Sequence, residues 1–225
     1  MVSKTSLRPA VLLGTPLTLS LLMLLLHPSP YDDVAGELVP IAGFWTLLHT
    51  VQFVLFALMG WAVWMLVDGL SGIAATVSRM AAAVFVLFYD VGDAVAGIAT
   101  GILAGNVAGA PAGERTGLVA AVEALFADST KNLAFTVGIY AWVLALVAAG
   151  VALRRAGAPL QPLLLLALPA YFMTFDLAFP YGALTFASFF LVALWLEVLW
   201  RRRTSLDAGT DAGSGTRRFA TRETI

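Results

Sequence analysis

Apolar residues run along this chain in long blocks separated by short polar or charged patches. A window of about 19–20 residues, the length that crosses a roughly 30 Å hydrocarbon core, isolates six such blocks. They cover 10–27, 42–66, 80–103, 133–153, 160–179 and 182–200. Each is expected to be helical, because an isolated strand leaves its backbone groups unsatisfied in lipid and the alternating ten-residue pattern of a barrel does not occur. The expected fold class is therefore all-α: a polytopic membrane protein with a bundle of six transmembrane helices forming one domain over 1–203.

Two connecting regions have patterns of their own. Leu118, Val119, Val122, Leu125 and Phe126 recur at helical spacing with Glu123 and Asp128 opposite, which predicts an amphipathic helix near 117–128 lying flat in the outer interface. From 204 to 225 the chain turns small and polar without periodicity, the pattern of a disordered tail. Trp195 and Trp200 precede Arg201, Arg202 and Arg203, an interfacial aromatic anchor followed by stop charges. The first block, behind Lys4 and Arg8, looks like the front of a secretory signal, but His27-Pro28-Ser29-Pro30 replaces the small-x-small cleavage site, so a retained anchor is expected. Three helices plus three would allow inverted halves, yet no internal repeat supports them.

Charge sets the orientation. With six crossings, Lys4, Arg8, Arg79, Arg154, Arg155, Arg201 to Arg203, Arg217, Arg218 and Arg222 fall on one side. Arg115 and Lys131 fall on the other, among Asp32, Asp33, Glu37, Glu114, Glu123 and Asp128. Positive flanks stay inside, so both termini are expected to be cytoplasmic and the protein integral to the plasma membrane. Composition agrees: 60% of the 225 residues are hydrophobic and 12% charged, against about 25% charged in soluble domains. A net charge of -1 without a basic surface argues against nucleic-acid binding, and the lack of cysteine rules out disulfides, thiolate metal sites and cysteine catalysis.

An ionisable group at mid-membrane costs about 2.5–3.5 kcal/mol on insertion scales, so each one present needs a reason. His49 and Gln52 stand three apart in the second block, Asp90 and Asp93 three apart in the third beside Tyr89, and Asp176 stands before Pro180 in the fifth. At 1.5 Å per residue, His49 lies roughly 8–10 Å below the outer boundary, Asp93 about 12–15 Å, and Asp90 near the midplane. One outward-facing pocket holding His49, Asp93 and Asp176, extended by Asp90 and Gln52, would bind a proton, ion or small polar solute, because a His and an Asp in an apolar pocket support each other's charged forms. The plainer alternative makes each a hydrogen-bonded helix contact. His27, at the end of the first block before Pro28, is expected at the interface. Gly97, Gly101 and Gly105 recur every four residues in line with Asp93, a small-residue surface for close helix packing.

Other chemistry finds little support. One His with two or three Asp could hold Zn, Mn or Fe, but no HExxH or clustered-His spacing exists, so the metal stays unknown. Haem would need His27 and His49 to meet across helices. Neither a Gly-x-Ser-x-Gly elbow nor a Walker loop is present. No catalytic residue is assigned and no cofactor is expected. The reading favoured is a transporter or permease using an outward-facing His/Asp site. A membrane-embedded acid/base or metal-assisted enzyme acting on a lipid or isoprenoid-like substrate is the second, and a non-catalytic subunit, homo-oligomeric or bound to a membrane partner, is the third.

Overall fold

The computed structural model describes residues 4–28, 33–175 and 180–200, so Asp32, Asp176, Arg201 to Arg203 and the tail over 204–225 lie outside the described residues. Every regular element among the described residues is a helix. Five stretches are long and apolar enough to cross a membrane. We label Leu7–Leu25 α1, Val34–Leu66 α2 and Ile73–Gly109 α3. The fourth stretch breaks at Ala127 and Asp128 into α4, Ala112–Phe126, and α5, Ser129–Arg155. Leu160–Leu165 is α6, Ala167–Phe172 is α7, and the fifth long stretch, Tyr181–Val198, is α8.

The block 160–179, expected as a continuous span, contains α6 and α7 of six residues each. From Leu160 to Phe172 they would cover only about 20 Å. Pro162 and Pro169 each stand in the first turn of their helix, where a missing N–H is harmless. Pro169 cannot continue the hydrogen-bond ladder of α6, so the helix restarts at Ala167. The Trp142 indole N–H donates to the Pro169 carbonyl at 2.9 Å and pins this broken segment to α5.

Small residues set the spacing of the long helices. A Cβ on Gly138 would lie 2.9 Å from the Tyr89 Cβ, and one on Gly92 would lie 2.9 Å from the Phe135 ring, so α3 and α5 approach closely along an antiparallel seam. The Ser78 hydroxyl donates across that seam to the Ala145 carbonyl at 3.0 Å, and Ser20 of α1 donates to Ala183 of α8 at the same distance. Such bonds satisfy hydroxyls that lipid would leave bare. Phe56, Phe85, Trp142, Phe186 and Phe189 fill the centre, with Phe85–Trp142 and Trp142–Phe189 ring centroids 5.0 and 5.7 Å apart. Leu47, Leu87, Tyr140, Val147 and Leu191 point outward around the bundle, an apolar surface of the kind that a hydrocarbon solvent would cover.

The two ends of the bundle differ. At one end Arg8 of α1 gathers three partners: Nε donates to Glu197 of α8 at 3.0 Å, Nη1 to Asp68 at 3.3 Å, and Nη2 to the Met65 carbonyl of α2 at 2.8 Å. Arg79 closes the α2–α3 turn beside it by donating to the Val67 and Leu70 carbonyls, both at 2.8 Å. At the other end α4 folds over α2 and α3. Its Val122, Leu118, Val119 and Phe126 pack on Val34, Leu38, Trp45, Ala104 and Val107, so protein covers this apolar side, with Leu125 half-buried outside the cluster. Glu123, expected on the wet side, accepts from the Ala35 backbone N–H at 2.7 Å and thereby ties α4 to the start of α2.

Candidate functional site

The site starts from one face of α2. Trp45, His49, Gln52, Phe56 and Met59 follow one another at spacings of four, three, four and three, which places them on one stripe, and all five are buried. Opposite them runs α3, and there the helix departs from α geometry: Ala94–Ala99 is a π stretch. In a regular helix four-residue steps drift by about 40° each, so the line from Asp93 through Gly97 and Gly101 to Gly105 would rotate by about 120°. A π stretch adds the equivalent of one residue, about 100°, and cuts that drift to roughly 20°. All four residues therefore face α2. The π stretch also takes carbonyls off the regular ladder: Ala96 O accepts from the Trp45 indole N–H at 3.3 Å, and Val95 O accepts from the Thr100 hydroxyl at 2.8 Å.

The consequence is a close His–Asp pair. His49 Nδ1 lies 2.9 Å from Asp93 Oδ1, and the two residues are 4% and 5% exposed. With Asp93 ionised, the Nδ1–H donates to the carboxylate. Gly97 lies directly beneath the imidazole, where any Cβ would overlap the ring. Gly101 does the same for Thr46 and Trp45, and a Cβ on Gly105 would meet the Ala42 Cβ at an ordinary 3.8 Å. On its other sides the imidazole touches the Trp45 ring, with centroids 4.3 Å apart, and the His27 ring, with centroids 5.3 Å apart and edge to face.

His49 and Asp93 line a cavity of about 420 Å³ at the end of the bundle away from Arg8. Its walls come from six parts of the chain, α2 among them. They include His27 from the end of α1, Tyr89 from α3, Phe126 from α4, Lys131, Asn132 and Phe135 from α5, and Thr174 beyond α7. No family model, curated protein or solved structure matches this chain. The site must be read from its own chemistry.

The other expected site residues are dispersed. Gln52 and Asp90 are buried but do not line the cavity. Gln52 donates through Nε2 to the Met23 sulfur at 3.5 Å, while its Oε1 and the Oδ1 of Asp90 are buried without a hydrogen-bond partner among the described residues. Asp176 lies outside the described residues, although Thr174 and Phe175 just before it line the wall.

Two residues expected at the surface belong to the site. His27, expected as an interfacial residue, packs edge to face against His49 and Trp45. Lys131, expected in an outer loop, is only 7% exposed. Asp128 caps α5 by accepting from the Thr130 and Lys131 N–H groups, which puts Lys131 in the first helical turn. Side chains lean towards a helix N-terminus, and Lys131 accordingly reaches back, with Nζ donating to the Phe126 carbonyl and lying 4.3 Å from the centroid of that ring. The cap motif Asp128-Ser-Thr-Lys131 was the available signal.

Metal and haem chemistry fit poorly here. No three His, Asp or Glu side chains are arranged to hold a metal ion among the described residues. His27 and His49 do meet, but their rings touch each other, and a macrocycle ligated by both would have to lie between them. What remains is a protonatable pair. His49 Nε2 and Asp93 Oδ2 are buried without a hydrogen-bond partner among the described residues, a costly state for two polar atoms unless they exchange a proton or meet a polar solute.

Proposed function

We propose that this chain is a transporter or permease of the plasma membrane that admits a small solute into the outward-facing cavity and holds a proton on the His49–Asp93 pair. In this reading the chain crosses the bilayer six times, the fifth crossing beginning with α6 and α7, and both termini are cytoplasmic. The observation that carries it is the His49–Asp93 contact at 2.9 Å, made between two helices and set in a cavity wall. A structural hydrogen bond would serve equally well with all its polar atoms satisfied; here one atom on each partner is not. The cavity mixes aromatic rings with Lys131, Asn132 and Thr174, which suits a small organic solute with a polar end better than a bare ion.

The enzyme reading has one observation behind it. A carboxylate on Nδ1 fixes the imidazole in the tautomer that leaves Nε2 as acid or base. That Nε2 is buried from the solvent-filled space, so a substrate resting in the cavity would not touch it without rearrangement. A proton can be delivered by a single water molecule, which needs a smaller movement than admitting a substrate.

The test uses sealed vesicles containing the full chain and an entrapped pH dye, with an imposed pH gradient and pooled small carboxylates, amines or sugars added outside. Wild-type vesicles are expected to dissipate the gradient faster with at least one pool. Asp93→Asn and His49→Gln should fall to the rate of empty vesicles. Equal fluxes in wild type and both variants would remove this reading, and solute turnover to a new product would favour the enzyme.

A further inference from the structure

We propose that a second cavity, between α5 and α6 at the Arg8 end of the molecule, is a binding site for one anionic phospholipid of the adjacent leaflet, with an acyl chain in the groove and the phosphate on Arg154 and Arg155. The groove holds about 470 Å³ and is separate from the His49 site. Its floor and walls are apolar, with Leu146, Gly150, Leu163 and Leu166 among them, and among the described residues the two arginines are the charged side chains lining it. Its second wall is the broken segment, which the chain enters through Pro159 in an extended conformation. Gly150 deepens the groove, because a Cβ there would meet nothing nearer than the Leu166 Cδ1 at 3.8 Å.

Dimensions and charge select the occupant. From Leu146 to Arg155 the helix rises about 14 Å, half the thickness of a hydrocarbon core, so the groove is one leaflet deep and ends at headgroup level. That length suits an acyl chain and is too short for a partner's membrane-spanning helix. Arg154 uses one N–H on the Ala158 carbonyl at 3.3 Å, and the Arg155 side chain makes no hydrogen bond among the described residues, which leaves most of two guanidinium groups to bind phosphate. A second copy of the chain docked here about a twofold axis would bring four guanidinium groups together. A choline headgroup would add a cation to the same place, whereas a glycerol headgroup leaves the phosphate charge unopposed.

Native mass spectrometry of the full-length protein, released from detergent after titration with phosphatidylglycerol or phosphatidylcholine, tests the proposal. Wild type is expected to retain one phosphatidylglycerol at a concentration roughly 10–30-fold below that needed for phosphatidylcholine, the ratio that two interfacial arginines supply. The variant Arg154→Gln/Arg155→Gln should equalise the two lipids while leaving phosphatidylcholine binding unchanged. Both positions are exposed, so this variant puts little at risk in folding. Gly150→Leu, which fills the groove, should weaken both lipids. Equal retention of the two lipids by wild type, or a preference that survives the arginine changes, would overturn the proposal. So would a dimer that Gly150→Leu abolishes while lipid retention is unaffected.

Discussion

A missing methyl group decides how His49 sits. The imidazole occupies the space that any side chain at position 97 would need, so Gly97 is part of the site without contributing a functional atom. Gly97→Ala should push the ring off Asp93 and cost about 1–3 kcal/mol, the usual penalty for overpacking a tight contact. Thermal unfolding in detergent would read the loss of stability, and the imidazole proton resonance of His49 would read the broken pair. Unchanged values in both would mean that the ring does not rest on Gly97. At this scale the sequence was informative about residue type and less so about direction. Polar residues interrupting apolar blocks marked His49 and Asp93 for a pocket, with Gln52 and Asp90 extending it, yet of these four only His49 and Asp93 reach the cavity wall. Lys131 was hidden because its depth depends on α4 folding over the bundle, a tertiary event that leaves no mark in the local hydropathy.

Among the elements, the hydrophobic blocks transferred well where the chain is free of proline. The block 42–66 is the helix Ala42–Leu66 within α2. Prolines at 162 and 169 turned the block 160–179 into pieces, which a window average cannot register because proline changes hydrogen bonding far more than it changes hydropathy. The π stretch of α3 was equally invisible, since residues 94–99 differ little in composition from their neighbours. Its effect is nevertheless testable. Deleting Val95 should restore regular α geometry and rotate the Asp93 side of the helix by about 100° relative to Gly101 and Gly105. Either the carboxylate or the glycine surface could then face α2, but not both. The shortened chain is expected to insert in the membrane yet lose gradient dissipation together with several degrees of thermal stability. Full retention of both would show that the π stretch does not set the phase of the helix.

Across the whole molecule, one end is open and the other is tied. The cavity that holds the His–Asp pair lies at the end capped by α4, while at the opposite end the Arg8 guanidinium joins α1, the α2–α3 turn and α8. Replacing Arg8 with Gln removes its part-buried ion pair with Glu197 and should cost roughly 1–3 kcal/mol. The tie also bears on which compartment the cavity can visit. Segments around positions 8, 65–68 and 197 share a single side chain, so they part together or stay together, and a carrier built this way would rest facing one aqueous phase. The chain has no cysteine, so a thiol placed at Thr174 in the cavity wall would be its sole target for a membrane-impermeant maleimide. With Arg8 present, labelling should come from one side of a sealed vesicle; in Arg8→Gln it should come from both, altering the traffic through the molecule while leaving what it recognises intact.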